Sequence, residues 1–296
     1  MIKICFIYDG ENNEDFLRIL SKMTPNRSGK WKDIVGVTKP EEADFCIIQD
    51  RSGHNCPDEK CIYVGAHPYI PNYDTYVDFG SKGVARLDLK DTFGFGEWWI
   101  DYDYDTLCAM KRPKKYKDLC CIMSDAEGRP DHLARKEYME RFCGFHSVNL
   151  YGRIKPKMGT NMYSRYRGEL GQNIPTKYWF GKETVLTEHK YAIEFDNATI
   201  NGTPEYVSHP TKHYFSERFF DDILLWCTPI GVICSQNIGD YLPENSFYTA
   251  DFTRNGDDVV RISKEEPNWK ALDQARDLLL NKYQIWARIH ELIHSL

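Results

Sequence analysis

The chain has 296 residues, 42% hydrophobic and 28% charged, which excludes a wholly disordered protein and leaves room for two domains of ordinary size. A net charge of −6 argues against a global electrostatic grip on nucleic acid and leaves only a local basic patch open. No window of about 18 apolar residues offers a membrane span. Met1–Tyr8 is too short and ends too soon in Asp9-Gly10-Glu11 for a signal peptide, so a cytoplasmic protein is expected. The 10 cysteines fit that compartment, because Cys5, Cys46, Cys120, Cys121, Cys227 and Cys234 sit inside apolar runs, as reduced buried thiols do.

Ile2–Tyr8 reads as a strand and Asp15–Met23 as a helix, with further strands at Ala43–Gln49 and Cys61–Gly65. The pattern then dissolves into a loop-rich stretch from His67 to Asp105. Lys111-Arg112-Pro113-Lys114-Lys115 is polar and proline-broken, and is the expected linker. A buried strand, Leu119–Met123, restarts the alternation. After Ser124-Asp125 come a helix from about Asp131 to Cys143 and a strand, Val148–Tyr151, ending in Gly152-Arg153. An insertion from Ile154 to Phe180 mixes basic and aromatic residues. A short helix (Lys182–Glu188), a strand (Tyr191–Phe195), an irregular stretch (Asn197–His213) and a helix (Phe215–Cys227) follow. Strands at Ile230–Cys234 and Phe247–Ala250 complete the set. The chain closes on a long amphipathic helix, with Leu272, Leu279, Trp286 and Ile293 recurring every seven residues. Strand–helix alternation in both halves predicts two parallel-sheet α/β layers, which hold ligands beyond the carboxyl ends of their strands.

The most informative segment runs from the strand ending in Phe195-Asp196-Asn197 to the helix opening Ser216-Glu217-Arg218. Ser216 suits an N-cap and Glu217 complements the positive helix end, so both have a purely structural reading. A helix N-terminus at a strand end is equally an anion site, and Arg218 beside it suits a phosphate. Phe219, Phe220, Ile223, Leu224 and Cys227 form the expected buried stripe. Two metal readings are weak. His54, Cys56, Cys61 and His67 do not have standard finger spacing. Asp101-Tyr-Asp-Tyr-Asp105 contains Asp-x-Asp, but reads as an exposed acidic loop. No metal is expected.

These residues carry a resemblance to the α1,3/4-fucosyltransferase family. Phe195-Asp196-Asn197, Tyr214-Phe215-Ser216-Glu217-Arg218, Pro229-Ile230 and Ser246-Phe247 to Asp251-Phe252 are similar in order and spacing to its donor-binding motif. Upstream, Ser124-Asp125, Arg135 with Tyr138, and Asn149–Arg153 resemble further family features. The resemblance implies a GT-B fold: two Rossmann-like domains facing across a cleft, here residues 1–115 on the acceptor side and 116–262 on the nucleotide-sugar side, with a helix, 263–296, packing across both. It implies an inverting transferase that moves a sugar, in the family fucose from GDP-fucose, onto a glycan hydroxyl, without a metal or other cofactor. Carried over, Arg135 and Arg218 pair with the diphosphate, Glu217 holds donor hydroxyls, and Ser124, Gly152, Asn197, Tyr214 and Ser216 line the same pocket. The family's general-base Glu aligns with Ala66 here, and its neighbour His67 is the candidate base, with an intrinsic pKa near 6.5 suited to the task; the nearby carboxylates Asp74 and Asp78 are the alternatives. Ala66 also opens an alternative: a nucleotide-sugar or glycan-binding protein with weakened catalysis. The two long loops open another, a GT-B transferase with a different nucleotide-sugar donor.

Overall fold

A computed structural model describes residues 1–8, 12–49, 54–64, 85–87, 96–124, 130–173, 178–179, 181–195, 217–233, 238–251 and 253–296. In chain order the elements are β1 (Ile2–Ile7), α1 (Asn13–Ser21), β2 (Lys30–Trp31), β3 (Ile34–Gly36), β4 (Phe45–Gln49), β5 (Cys61–Val64), β6 (Ala85–Leu87), α2 (Tyr104–Ala109) and β7 (Lys117–Ile122). There follow α3 (Pro130–Phe145), β8 (Asn149–Tyr151), α4 (Asn161–Arg165), β9 (Tyr166–Gly168), β10 (Gln172–Asn173), β11 (Tyr178–Trp179), α5 (Lys182–Glu188) and β12 (His189–Phe195). The last are α6 (Glu217–Leu224), β13 (Thr228–Ile233), β14 (Tyr248–Thr249), α7 (Asp257–Ser263), α8 (Trp269–Leu278) and α9 (Ile285–Ile293). Two compact units result, and neither is one stretch of chain. Unit one comprises 1–97, 102–110 and 279–296; unit two comprises 98–101 and 111–278.

Unit one is built on a six-stranded sheet of order β2-β3-β1-β4-β5-β6, parallel except for the β2–β3 hairpin. Ile4, Cys5 and Phe6 are wholly buried, the continuous apolar run of a parallel strand covered on both faces. Asn12 caps α1, its side chain accepting the Asp15 N–H at 2.8 Å. Phe16, Ile19 and Leu20 of α1 then pack down. The Phe6 ring meets Trp286 of α9 edge-on at 5.0 Å, and the Trp286 indole N–H donates to the Leu20 carbonyl at 3.0 Å.

Unit two carries a second six-stranded sheet, β14-β13-β12-β7-β8-β9, in which every pairing is parallel. Its core joins Cys121, Leu150, Ile193 and Ile230 of the strands to Tyr138, Met139 and Phe142 of α3. The expected stripe of α6 is present: Phe219, Phe220, Ile223, Leu224 and, beyond the helix, Cys227 are fully buried. The helix itself is shorter than the expected Phe215–Cys227, because Trp226 at φ 56 turns the chain toward β13.

Four expectations are corrected. The 154–180 insertion is not simply a loop, since β9 extends the main sheet and β10 pairs antiparallel with β11. The acidic stretch 101–105 opens α2: Asp103 caps it through the Thr106 N–H at 2.8 Å and accepts from Arg27 Nε at 2.7 Å. Burial raises the Asp103 pKa, but these bonds outweigh it and hold the carboxyl at about 2. Lys115 of the expected linker is buried, with its ammonium donating to the Leu186 and Leu225 carbonyls. The terminal helix is two helices. A π turn, Leu279–Tyr283, ends the first, and Gln284 turns extended at ψ 153 before α9 begins. The Gly96 carbonyl accepts the Ile285 N–H at 3.0 Å and so helps fix the break. The seven-residue stripe survives it, with Leu272, Leu279, Trp286 and Ile293 all buried. Among the described residues no helix is long and apolar enough to cross a membrane.

Candidate functional site

The second sheet reverses its direction of growth at β7. The chain first runs outward from β7 through α3 to β8, then returns to lay β12 on the other side of β7, followed by β13 and β14. The carboxyl ends of β7 and β12 flank this reversal, where open α/β sheets hold ligands. Ser124 lies just past β7, Glu194 and Phe195 end β12, and Glu217 and Arg218 open α6.

Arg218 is held by the end of β12. Its Nη1 donates to the Phe195 carbonyl at 3.3 Å, and its Nε lies 3.9 Å from Glu194 Oε2. Arg135 comes from α3 and is 2% exposed. One turn on, Tyr138 packs edge-on against Phe195 at 5.7 Å, which seats α3 against the end of β12. Both guanidinium charges act on Cys121 of β7: burial and Glu194 push its thiol up, while Arg218 and Arg135 both pull it down.

Gly152 has a packing reason of its own. Its φ is +116°, and a Cβ there would sit 2.1 Å from the Met123 carbonyl oxygen. Glycine at this position lets the exit of β8 lie directly against the residue that precedes Ser124. Of the other expected site residues, His67, Asn197, Tyr214 and Ser216 lie outside the described residues, as does the side chain of Glu217.

Sequence reasoning missed a buried ionic cluster beneath Arg218. Lys182 of α5 pairs with Asp221 of α6 at 2.6 Å, both buried, and the other Asp221 oxygen accepts the Trp99 N–H at 2.8 Å. Glu194 and Asp222 are also buried, and their carboxyl groups act on one another electrostatically. Burial pushes Asp222 well up, and the Glu194 charge adds to this. Burial likewise raises Glu194, against the pull of Arg218 and Lys182. Both carboxyls are thus pushed toward the protonated form, Asp222 the further of the two. Two signals were legible: a glutamate inside the apolar strand Tyr191–Phe195, and two aspartates beside the buried stripe of α6.

Among the described residues, His54, Cys61, Asp103 and Asp105 all have protein partners. Asp103 caps a helix, and the Asp105 carboxylate accepts the Asn26 N–H at 2.5 Å. His54 Nε2 lies 3.2 Å from the Tyr63 hydroxyl, and its Nδ1 lies 4.0 Å from Cys61 Sγ, while that thiol donates to the Pro57 carbonyl at 3.3 Å. The nine described cysteines are free thiols. Burial pushes Cys5 up to about 12 and Cys61 up to about 11, which keeps both protonated.

No protein-family model matches the chain, and no curated protein matches it in sequence. Among solved structures it is similar to T4 phage BGT in complex with its UDP-glucose substrate, over the whole of both chains, with 10% identity and a TM-score of 0.52. It is also similar to an alpha1,3-fucosyltransferase with GDP, over 94% of this chain and 81% of that one, with 14% identity and a TM-score of 0.45. WaaG, a glycosyltransferase involved in lipopolysaccharide biosynthesis, covers 100% of this chain and 99% of its own, with 10% identity and a TM-score of 0.43. At these identities the likeness is one of fold. The two parallel-sheet α/β units have the GT-B architecture.

Proposed function

We propose that this chain is a glycosyltransferase that takes its sugar from a nucleoside-diphosphate donor, with the diphosphate held at the carboxyl ends of β7 and β12. The observation that supports this reading is Arg218 at the opening of α6, held beside the end of β12, with the buried Arg135 of α3, whose charge also acts on Cys121 of β7. Guanidinium groups suit a departing diphosphate because they stay charged and offer forked donors, so they offset the developing charge without a metal. The donor motif around Phe195–Arg218 favours GDP-fucose, and the fold shared with a UDP-glucose-bound structure supports UDP-sugars as the alternative. Glu217, Tyr214, Asn197 and Ser216 line the donor pocket in this reading, with Ser124 and Gly152 at its floor.

His67, three residues beyond the end of β5, is the proposed base. It takes the proton of a glycan hydroxyl, whose oxygen attacks the anomeric carbon. The bond from that carbon to the diphosphate breaks, and the nucleoside diphosphate leaves from the opposite face with inversion. The aromatic-rich stretch 69–99 is the proposed acceptor side. The test is thermal stability with GDP, UDP, CDP and ADP, each with and without magnesium, for wild type, Arg218→Ala and Arg218→Lys. A ligand at 100 times its dissociation constant adds about 2.7 kcal/mol, a readable shift. Metal-independent stabilisation by GDP or UDP that Arg218→Ala loses is expected, and a folded Arg218→Ala that keeps it refutes the donor site. Ala66 at the family's base position supports a second reading, a binding protein with weakened catalysis. Full transferase activity that falls in His67→Ala would dispose of it.

A further inference from the structure

Asp33, His290 and His294 gather in unit one. Among the described residues they are the one group of three His, Cys, Asp or Glu side chains close enough to share a metal ion, with all ligand atoms within 4.8 Å of one another. His290 and His294 are four residues apart at the end of α9, so both imidazoles leave one face of the helix. Asp33 sits in the turn between β2 and β3, where Lys32 takes φ 52 and the Asp33 carbonyl accepts the Ile2 N–H at 2.8 Å. His290 Nε2 lies 2.9 Å from Asp33 Oδ1, and His294 Nε2 lies 3.1 Å from Oδ2. The two rings are 4.4 Å apart.

The spacing suits a shared cation. With zinc bonds of about 2.0–2.1 Å in tetrahedral geometry, neighbouring donors stand roughly 3.3 Å apart. The two histidine-to-carboxylate separations, 2.9 and 3.1 Å, lie within a few tenths of an ångström of that. Both histidines present the same atom, Nε2, to one carboxylate. The frame is stiff: Trp286, Ile289 and Ile293 bury the inner face of α9, and Gln284 caps its start by accepting the Trp286 N–H at 3.0 Å. Ring N–H groups donating to the carboxylate are the competing use of the same contacts. That arrangement takes up no ion.

We propose that Asp33, His290 and His294 bind a zinc-class divalent cation through both Nε2 atoms and a carboxylate oxygen, with water in the fourth position. Imidazole with carboxylate suits zinc, cobalt and nickel, whereas magnesium and calcium prefer all-oxygen sites. The ion would clip the β2–β3 turn to α9, contacts that join residues 261 positions apart in the chain. An ion bound only by the folded chain stabilises it. The proposal does not rest on the donor site, whose described residues all belong to unit two.

The experiment titrates the chelator-treated full chain with zinc against a chromophoric chelator, and with cobalt in the visible range. One zinc per chain, tetrahedral cobalt bands and a melting temperature raised by zinc but not by magnesium are expected. Asp33 and His294 are exposed, so Asp33→Asn and His294→Ala should fold as wild type does, checked by circular dichroism. Each should weaken zinc by more than the roughly 10–100-fold that losing an outer-shell partner costs. Absence of stoichiometric zinc in the wild type overturns the proposal. So does undiminished binding in both variants, or near-ultraviolet thiolate-to-cobalt charge transfer, either of which moves the ion to cysteines. The wild-type cobalt spectrum decides between nitrogen–oxygen and thiolate ligation even should a variant unfold.

Discussion

His189 provides a sharp test of the buried polar structure of unit two. It opens β12 with no exposed surface. Its Nδ1 lies 2.6 Å from the Val185 carbonyl oxygen, which only accepts, so Nδ1 carries the proton. Its Nε2 is then an acceptor, and the Asn149 amide nitrogen donates to it at 3.0 Å. The amide is oriented in turn by Arg167 Nε, which donates to Asn149 Oδ1 at 3.0 Å. A second ring proton would confront the Asn149 N–H groups in a site closed to water. Burial, helped by the Lys117 and Lys115 charges, accordingly lowers the His189 pKa from 6.5 to about 4 against the pull of the Val185 bond. Between those two values the unfolded chain binds a proton that the folded chain refuses, so stability falls as pH falls through this window and is intact above 6.5. At about 1.4 kcal/mol per pH unit, the whole effect is about 3 kcal/mol. Urea unfolding at a series of pH values from 7 to 4 measures it, comparing wild type with His189→Asn, whose amide can still donate toward Val185. Wild type should lose about 3 kcal/mol more than the variant across the window. Parallel curves would refute a neutral, buried His189.

The same reasoning with the opposite window applies to Lys115, whose pKa burial lowers from 10.5 to about 8. The stability of wild type relative to Lys115→Met should rise between pH 8 and 10.5, by about 3 kcal/mol, because only the unfolded chain keeps the proton there; a flat difference would place the ammonium in water. Burial and the Glu194 charge push the Asp222 carboxyl well up, so Asp222→Asn should leave stability at pH 7 within about 1 kcal/mol of wild type. Lys182→Met, which strands Asp221 as a buried unpaired charge, should cost about 3–5 kcal/mol by the same urea assay.

The parts of the fold that were legible are those with local signals. Parallel strands such as Leu119–Ile122 announce themselves as apolar runs, and α5 matched its expected bounds, Lys182–Glu188, residue for residue. The strand end and helix start singled out Arg218 as an anion-site candidate, whereas Ser124 and Arg135 came only through the family resemblance. What stayed hidden depends on partners distant in the chain. β2 and β3 are two and three residues long, too short for a periodic signal. Nothing from Leu279 to Gln284 is a helix breaker, and the interruption rests on a hydrogen bond to Gly96. Lys115 looked solvated in its basic run because the carbonyls it caps, at Leu186 and Leu225, are brought together only by the fold. Charges read as surface by default, so Asp221, Asp222 and Lys182 were passed over.

That buried cluster bears on what the end of the sheet attracts. Lys182 and Asp221 cancel as a close pair. Glu194 lies beside Arg218, with the Asp222 carboxyl buried close by. Were both carboxyls ionised, the second negative charge would lie beside Arg218 and oppose any anion brought to it. Burial and the Glu194 charge both push the Asp222 carboxyl up, which works against that second charge. Glu194 also fixes Arg218 in place, so an incoming diphosphate meets a guanidinium already ordered and pays less entropy to engage it. The anion preference proposed for the site is thus tied to the packing of α6 against β12, which sets how closely the buried carboxyls approach Arg218.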